Sequence, residues 1–471
     1  MIKHAKPKNF VYYLKRLTVL AVALCFIMQI PVVIKHFDSI DIEGILDKSE
    51  LKNVHFKAKV QKIEQGALTA YFMEEHSNPI VSISFIFQNA GAAHDDENKQ
   101  GMALLAAALL TEGAGDYDSR TFKEAAEENG VKIGFSVSAD DFSGSLAFPK
   151  ANMPAAVKLF KAALYEPHLE EDDINIKKQQ LLTALQMQKE NPKQLLANKF
   201  KEDIFAGHPY ARNSIGKAAD IQSVTAEEMR EFLRNNLAQD NIIVGIAGDL
   251  SKNEAQNILA DLFAGLPMKS QAKPLAKIDF SADGVEYSVE RKSAQAMTRL
   301  AARGTYRDSV DFYPLYIANY IFGESGLSSR LSKIIREREG LTYGVYTYLS
   351  NSDAVALIEG GYSSTPENFE KAKELLKKEW LKLGKEGVST QELDEAKKSL
   401  LNSFYLRFAT IDGISDMLTA MQKYNLGIDF LDKRNDYIRN VSNKDVNAAA
   451  KKYFNSIPDF VNIGVDNLGE K

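Results

Sequence analysis

The order of the predicted secondary-structure elements repeats once along the chain, and this repeat most constrains the fold. Alternating and apolar runs predict a pair of strands, helices, a second pair of strands, several long helices and a closing strand, and the same order returns about 200 residues later. Solenoid repeats have much shorter periods, so each unit is expected to be a whole domain. The predicted fold class is α+β, with two tandem similar domains, each a mostly antiparallel sheet packed with several helices.

The repeat also sets the predicted domain boundaries. A length of 471 residues suits two domains of roughly 200 residues each. The predicted segments are a signal peptide or membrane anchor at 1–34, a polar linker at 35–58, a first domain at 59–267, a second linker at 268–283 and a second domain at 284–471.

Local patterns predict individual elements within this frame. Leu68–Glu74 and Ile80–Gln88 are expected to be strands that pair with each other across a short turn. An apolar helix is predicted at about Lys99–Leu110, and two further strands within Val131–Phe148. In the second domain, Ser328–Arg338 is predicted to be a helix.

Composition and charge narrow the class of ligand. Hydrophobic residues make up 45% and charged residues 26% of the chain, as in ordinary soluble domains. The formal net charge is −5, so no basic face of the size that nucleic acid requires is expected. Cys25 is the only cysteine, which excludes a disulfide or a cysteine-ligated zinc site within one copy of the chain.

The N-terminal segment has the charge pattern of an exported or anchored protein. Residues 1–16 carry basic residues and no acid, Leu17–Ile34 is an apolar run, and acids begin at Asp38. This order predicts that the body of the chain lies outside the cytoplasm. The run is long enough for a signal anchor, whereas residues 33–36 lack the small side chains of a cleavage site, and both alternatives stay open. Either one places the body in a bacterial periplasm, at the inner membrane or secreted across it.

Several motifs follow one another in a fixed order. They are Asn-Ala-Gly-Ala-Ala-His-Asp-Asp at 89–96, Gln-Gly-Met-Ala at 100–103, His-Pro-Tyr-Ala-Arg at 208–212, Gly-Leu-Ser-Ser-Arg-Leu at 326–331 and Ile-Arg-Glu-Arg-Glu-Gly-Leu-Thr-Tyr-Gly-Val at 335–345. The ordered set resembles the insulinase/pitrilysin (M16) peptidase family over residues 60–468. The resemblance implies a chain that forms half of a clam-shell.

Active members of this family carry the motif His-x-x-Glu-His on a helix. The two histidines, one turn apart, bind zinc, and the glutamate activates the metal-bound water. Alignment on Gly101 places Leu104, Ala107 and Ala108 at these positions. The third ligand of the family falls near Thr183–Leu185, where no carboxylate occurs. The resemblance therefore implies a non-metal-binding type of subunit that holds no cofactor and is not a peptidase on its own.

The second domain retains a different part of the family's machinery. Arg336 and Tyr343 match an arginine and a tyrosine, seven residues apart, that hold the substrate near the zinc. An arginine can donate two hydrogen bonds to a carbonyl, and a tyrosine hydroxyl can stabilise an oxyanion. In heterodimeric members one subunit supplies zinc and the other this pair. The resemblance implies a zinc-bearing M16 partner and unfolded peptide substrates, which would add as a strand to a sheet edge, predicted here at Ala139–Ala147.

Three alternatives stay open. The chain is a peptide-binding or assembly protein without a role in proteolysis, and Arg336 and Tyr343 are then unused. Alternatively, an unrecognised metal site makes it active, although no two histidines are four residues apart and none follows His208. A mitochondrial location is the third, although the N-terminal run is too apolar for a transit peptide. Glu112 and the histidines are expected to be ordinary surface or capping residues.

Overall fold

The computed structural model describes residues 59–404 and 408–464. The predicted N-terminal segment at 1–34 and the linker at 35–58 lie outside these residues. Among the helices of the described ranges, none combines the length and the apolar composition that crossing a membrane requires.

The elements of the first half follow the predicted order. Its strands are β1 (Val60–Gln65), β2 (Leu68–Glu74), β3 (Ile80–Phe87), β4 (Gly113–Ala114), β5 (Tyr117–Asp118), β6 (Lys132–Val137), β7 (Phe142–Pro149) and β8 (Ile242–Gly248). Its helices are α1 (Met102–Leu109), α2 (Ser119–Glu128), α3 (Met153–Tyr165), α4 (Glu171–Glu190), α5 (Pro192–Ile204), α6 (Ala218–Ser223), α7 (Ala226–Asn236) and α8 (Lys252–Phe263).

Strand β3 lies inside the first sheet because its sequence suits burial on both faces. The odd-numbered residues from Val81 to Phe87 project into the main core of this half. Phe85 packs edge-to-face on Phe160 of α3, with the ring centroids 5.5 Å apart. Ser82 and Ser84 face the other side of the sheet and are also buried. Both faces of this strand therefore need a covering layer.

The order of the first sheet is β1-β2-β8-β3-β7-β6. Strands β2 and β3 are therefore not partners, and the prediction that Leu68–Glu74 pairs with Ile80–Gln88 is wrong. The closing strand β8 lies between them, parallel to β2 and antiparallel to β3. Its sequence, Ile-Ile-Val-Gly-Ile-Ala-Gly, is apolar throughout, and a strand on each side satisfies its backbone polar groups. The loop after β2 crosses the end of β8, where Glu75 N donates to Gly248 O at 3.0 Å.

The second half repeats this arrangement. Its strands are β9 (Glu286–Val289), β10 (Ala296–Arg303), β11 (Gly344–Asn351), β12 (Ala356–Ser364) and β13 (Asp459–Ile463). Its helices are α9 (Phe312–Asn319), α10 (Pro366–Glu386), α11 (Thr390–Ser403), α12 (Ile411–Lys423), α13 (Phe430–Asn440) and α14 (Asn443–Tyr453). The sheet order is β11-β12-β10-β13-β9, so the last strand again lies between two earlier strands, here β9 and β10.

These two sheets confirm the predicted fold class. Each sheet is antiparallel except for one parallel pair, which is β2–β8 in the first and β9–β13 in the second. Helices of the same half pack on the core face of each sheet. The chain is thus an α+β protein built from two similar units.

The segment that carries Arg336 differs from the prediction. A regular helix was expected over Ser328–Arg338, but Ser332–Arg338 is π-helical and follows a short 3₁₀ turn. Glu339 N donates to Ile334 O at 3.1 Å, which is the wider spacing of a π turn. The spacing of apolar residues in the sequence cannot reveal a π turn. Such a turn adds one residue to the helical turn and leaves the apolar character of the segment unchanged.

Each sheet is covered on its second face by a helix from the other half. Helix α12 lies across β8, β3 and β2 of the first sheet. Its buried residues Ile414, Leu418 and Met421 pack against Met73 and Ala247. This contact closes the face on which the serines of β3 lie.

Helix α5 makes the reciprocal contact with the second sheet. It lies across β10, β13 and β9, and its apolar residues are Leu196, Phe200 and Ile204. They pack against Ala301 and Val461. Burying each such side chain contributes about 1.5–3 kcal/mol, so each half completes the core of the other.

The approach of α12 to the first sheet is close enough to require small residues. The Ser415 hydroxyl lies 3.0 and 2.9 Å from the hydroxyls of Ser82 and Ser84. A Cβ placed on Gly245 would lie only 2.3 Å from Ser415 O and 2.6 Å from Thr419 Oγ1. Glycine is therefore needed at this point of β8.

A buried ion-pair cluster joins the halves at the end of α12. Lys423 Nζ lies 2.7 Å from carboxylate oxygens of both Asp141, in the β6–β7 turn, and Asp353, in the β11–β12 turn. Asp140 accepts hydrogen bonds from the Tyr210 hydroxyl and from the backbone N of Asp353. Burial raises the pKa of Asp141 to about 6, although Lys423 opposes the shift. Lys423 therefore holds carboxylates from both halves at one point.

Replacing Gly245 by alanine should destabilise the protein, because the new Cβ meets the backbone of α12. We expect a loss of about 1–3 kcal/mol in the free energy of unfolding, measured by urea denaturation. Gly134→Ala is the matched control, since its Cβ would make an ordinary 3.7 Å contact with Ser145 Oγ. Equal stability of the two variants would contradict the close packing.

Replacing Lys423 by methionine leaves the Asp141 carboxylate buried without its counter-ion. We expect a loss of about 3–5 kcal/mol in the free energy of unfolding at neutral pH. The loss should be smaller at acidic pH, because Lys423 lowers the pKa of Asp141 and its removal lets burial raise that pKa further, so that the folded variant takes up a proton and removes the buried charge. Urea denaturation at both pH values tests this, with Lys433→Met, in an exposed pair with Asp429, as the control. A loss that does not depend on pH would count against it.

Candidate functional site

Helix α1, to which the resemblance assigns the metal motif, has a firmly held N-terminus. The Asp95 carboxylate accepts hydrogen bonds from the backbone N of Gly101 at 2.8 Å and of Ala103 at 3.1 Å. Gly101 has φ 97°, a conformation that favours glycine. Burial raises the pKa of Asp95 to about 7. The residues that follow are therefore fixed in space by the fold.

The positions that the resemblance assigns to His-x-x-Glu-His carry apolar side chains. Leu104 and Ala108 are half-buried one turn apart, and Ala107 is buried. Helix α4, which contains Thr183–Leu185, packs against α1. The helix pair is present, but these positions supply neither imidazole nor carboxylate. Within the described ranges, no three His, Cys, Asp or Glu side chains are grouped so that they could hold a metal ion.

Glu112, the acid that follows α1, has a structural role. Its carboxylate accepts from Lys123 Nζ at 2.6 Å, from Lys177 Nζ at 2.8 Å and from the Ser119 hydroxyl at 2.6 Å. Burial alone would raise its pKa, but these partners outweigh burial and lower the pKa to about 2. A carboxylate held ionised in this way is unsuited to general acid chemistry at neutral pH.

Two histidines tie the segment between the halves to the first half. His94 Nδ1 donates to Lys273 O and His208 Nε2 donates to Ala276 O, each at 3.1 Å. His208 Nδ1 in turn accepts from the backbone N of Tyr210 at 3.1 Å. These contacts account for both ring nitrogens of His208 and for Nδ1 of His94.

Arg336 lies on the π-helical segment and faces solvent. Ile335 beside it and Leu341 after it are buried in the core of the second half, which orients the charged residues between them outward. Arg336 itself is exposed and forms no hydrogen bond or ion pair with the residues described here. By contrast, Arg330 donates to both carboxylate oxygens of Glu392, at 2.5 and 2.7 Å, and is thereby engaged structurally.

Tyr343 lies immediately before β11, which is an edge strand of the second sheet. Its backbone N donates to Ser363 O at 3.2 Å, while its side chain is 62% exposed. The π-helical segment with Arg336 packs on β11, the strand that Tyr343 precedes. The structure therefore brings both residues to the same end of the second sheet, with both side chains accessible.

Strand β11 presents further aromatic side chains that the sequence analysis did not single out. Tyr346 is 48% exposed and stacks on Tyr348, with centroids 6.2 Å apart. The Tyr348 hydroxyl donates to Glu359 at 3.0 Å, which fixes the inner ring. Tyr346 and Tyr348 are two residues apart, and this spacing in the sequence could have indicated that both rings lie on one face of the strand.

The predicted peptide-binding edge needs a correction. Ala139–Ala147 was expected to form an exposed edge, but β7, which occupies most of this range, pairs with β3 on one side and β6 on the other. The chain before β7 folds back through a tight hairpin, in which the backbone N of Asp141 donates to Ser138 Oγ at 2.9 Å. The edge strands of the first sheet are therefore β1 and β6, and those of the second are β9 and β11.

Comparisons with known proteins agree with this architecture. The family model described as Insulinase (Peptidase family M16) matches residues 71–218, and the one described as Peptidase M16 inactive domain matches residues 223–400. A Helicobacter pylori protein named non-peptidase homolog YmxG is 28% identical over 400 residues, which cover 83% of this chain and 90% of that protein.

Solved structures show the same fold. A peptidase M16 inactive domain from Pseudomonas fluorescens matches with a TM-score of 0.82 at 28% identity, covering 88% of this chain and all of that one. A protease from Helicobacter pylori matches with a TM-score of 0.78 at 17% identity, covering 86% of this chain and 99% of that one. The motif order, the two repeated sheets and these matches show that the chain belongs to the M16 (insulinase/pitrilysin) peptidase family, as a member without the His-x-x-Glu-His zinc motif.

Proposed function

We propose that this chain is the non-metal subunit of a peptide-degrading M16 heterodimer. A zinc-bearing M16 partner supplies the metal, and this chain contributes Arg336 and Tyr343 to substrate binding. The observation that carries the proposal is the contrast between the halves. The metal positions of the first half are apolar, whereas Arg336 and Tyr343 in the second are exposed and without side-chain partners in the described structure.

The chemistry of the two side chains suits this role. Zinc in the partner would activate the water that attacks the peptide carbonyl. Arg336 would donate two hydrogen bonds to substrate carbonyl oxygens and so position the peptide. Tyr343 would donate its hydroxyl proton in a hydrogen bond to the oxygen that becomes negative in the tetrahedral intermediate.

An unfolded peptide would bind by adding a strand to a sheet edge. The edge strands of the two sheets are β1, β6, β9 and β11, and β11 follows directly after Tyr343. Such pairing uses main-chain hydrogen bonds, which makes it tolerant of peptide sequence. Binding at β11 would therefore place a peptide next to the tyrosine in this chain.

The proposed location is the bacterial periplasm. The basic residues, the apolar run Leu17–Ile34 and the acids after it support export with either an inner-membrane anchor or a signal peptide. A substrate pool of unfolded or fragmentary peptides at that location would suit an edge-strand mode of binding.

A second candidate function is peptide binding or assembly without proteolysis. The name of the Helicobacter pylori relative, non-peptidase homolog, favours it. Under this alternative, Arg336 and Tyr343 would contact a bound peptide or a structural partner but would change no cleavage rate. The two functions differ in whether a metal-bearing partner is present and whether cleavage depends on these residues.

Substitution of the two residues should lower cleavage by the assembled complex. We expect Arg336→Ala and Tyr343→Phe each to reduce kcat/KM by about 100-fold or more, because each removes a donor to the transition state. The measurement is steady-state cleavage of a quenched fluorescent peptide by the complex purified through a tag on this chain.

Matched controls separate this effect from loss of assembly. Arg338→Ala removes a neighbouring exposed arginine that pairs with Glu339, and Tyr346→Phe removes a hydroxyl on the same strand as the site. Both controls should retain wild-type rates, and all variants should retain the partner in equal amount. Wild-type rates for Arg336→Ala in an intact complex would refute the contribution of this pair.

A further inference from the structure

A small cleft with an excess of positive charge lies where α5 covers the second sheet. Its volume is about 170 Å³, and its charged lining residues are Lys201, Arg212, Arg299 and Glu359. The first two belong to the first half and the other two to the second. Three cations therefore share the cleft with one carboxylate.

The carboxylate is already engaged by other groups. Glu359 accepts from Arg299 Nη2 at 2.6 Å and from the Tyr348 hydroxyl at 3.0 Å. Arg299 also lies over the ring of Phe200, with its guanidinium carbon 4.1 Å from the ring centroid. Glu359 thus neutralises Arg299 and leaves the remaining positive charge uncompensated.

Lys201, like Arg212, has no ion pair with a carboxylate among the described residues. Its Nζ donates to the Ser214 hydroxyl, and it forms no ion pair with any acid in the described part of the chain. Arg212 is bonded to the backbone oxygen of Asp95 at 2.7 Å. Burial, and secondarily Arg299, lower the pKa of Lys201. Lys201 is partly buried, and a partly desolvated cation is stabilised when a negative group accompanies it.

We propose that this cleft binds a small oxyanion between Lys201 and Arg299. Its volume suits a phosphate or a single carboxylate group, and it is below the roughly 300 Å³ of sites for larger organic ligands. The Ser214 and Ser352 side chains, which also line the cleft, provide further hydrogen-bonding groups. This site uses neither Arg336 nor Tyr343 and goes beyond the proposed function.

An anion in this position would link the two halves. Lys201 lies on α5 and Arg299 lies on β10, so one bound oxyanion would bridge helix α5 of the first half and the sheet of the second half. Two kinds of ligand could supply such an oxyanion: free phosphate and the carboxylate of a peptide. A ligand that binds the folded chain alone raises its melting temperature with concentration.

The test is titration of the purified chain with inorganic phosphate at constant ionic strength, with chloride as the reference anion. We expect saturable binding by calorimetry and a matching rise in Tm. Lys201→Met should weaken binding about tenfold or more, because a charge-assisted hydrogen bond is lost. Lys199→Met is the matched control on the same helix, where the lysine pairs with Asp203, and it should bind as wild type does.

Further measurements separate anion binding from a change in the stability of the chain and identify the ligand. Without phosphate, Lys201→Met should melt no lower than wild type, because it removes an unpaired charge. Glu359→Gln should raise phosphate affinity severalfold by removing the competing carboxylate. A short peptide with a free C-terminal carboxylate, compared with its amidated form, identifies the second source. No saturable binding of either anion, or wild-type affinity in Lys201→Met, would overturn the proposal.

Discussion

Helices α5 and α12 each bury an apolar face against the sheet of the other half, and the remaining architecture depends on this exchange. The sheets have inserted closing strands and buried residues on both faces, so neither could leave its second face in water. Ser82 and Ser84 illustrate the requirement, since both lie on that face and bond to Ser415 of α12. The Lys423 cluster then fixes the position of α12 by holding carboxylates from both halves.

The exchange also determines which surfaces stay available for ligands. Helix α12 contacts β8, β3 and β2 and leaves the β6 end of the first sheet accessible. Helix α5 contacts β10, β13 and β9 and leaves β11 accessible in the same way. The edge strands β6 and β11 therefore lie away from α12 and α5, whereas the edge strand β9 is contacted by α5. Arg336 and Tyr343 are positioned at one of these ends, where a peptide or a second protein can reach them.

The sequence predicted much of the fold because the repeat and the apolar runs are local signals. It did not predict that β8 lies between β2 and β3, since an apolar strand shows that both of its faces are buried but not which strands flank it. The sequence also did not predict that α5 and α12 each pack on the sheet of the other half, for a similar reason. Leu196, Phe200 and Ile204 indicate an apolar helix face, yet nothing local shows that the face meets the other half.

Candidate site residues could be predicted only where they belong to a sequence motif. Leu104, Ala107, Ala108, Arg336 and Tyr343 were found through their spacing within family motifs. Lys201 and Arg299 are far apart in the sequence and belong to no motif, so their shared cleft became visible only in three dimensions. The edge strand was misplaced by a few residues because the hairpin at Ser138–Asp141 decides which of β6 and β7 lies outside.

The most direct test of the central claim is native mass spectrometry of this chain captured by a tag from solubilised membranes of its own cells. The proposal predicts a complex of this chain with a second M16 chain that contains His-x-x-Glu-His, with zinc bound to that partner and none to this chain. A zinc-free chain captured alone, or only as a dimer of itself, would contradict the proposal and favour a binding or assembly role.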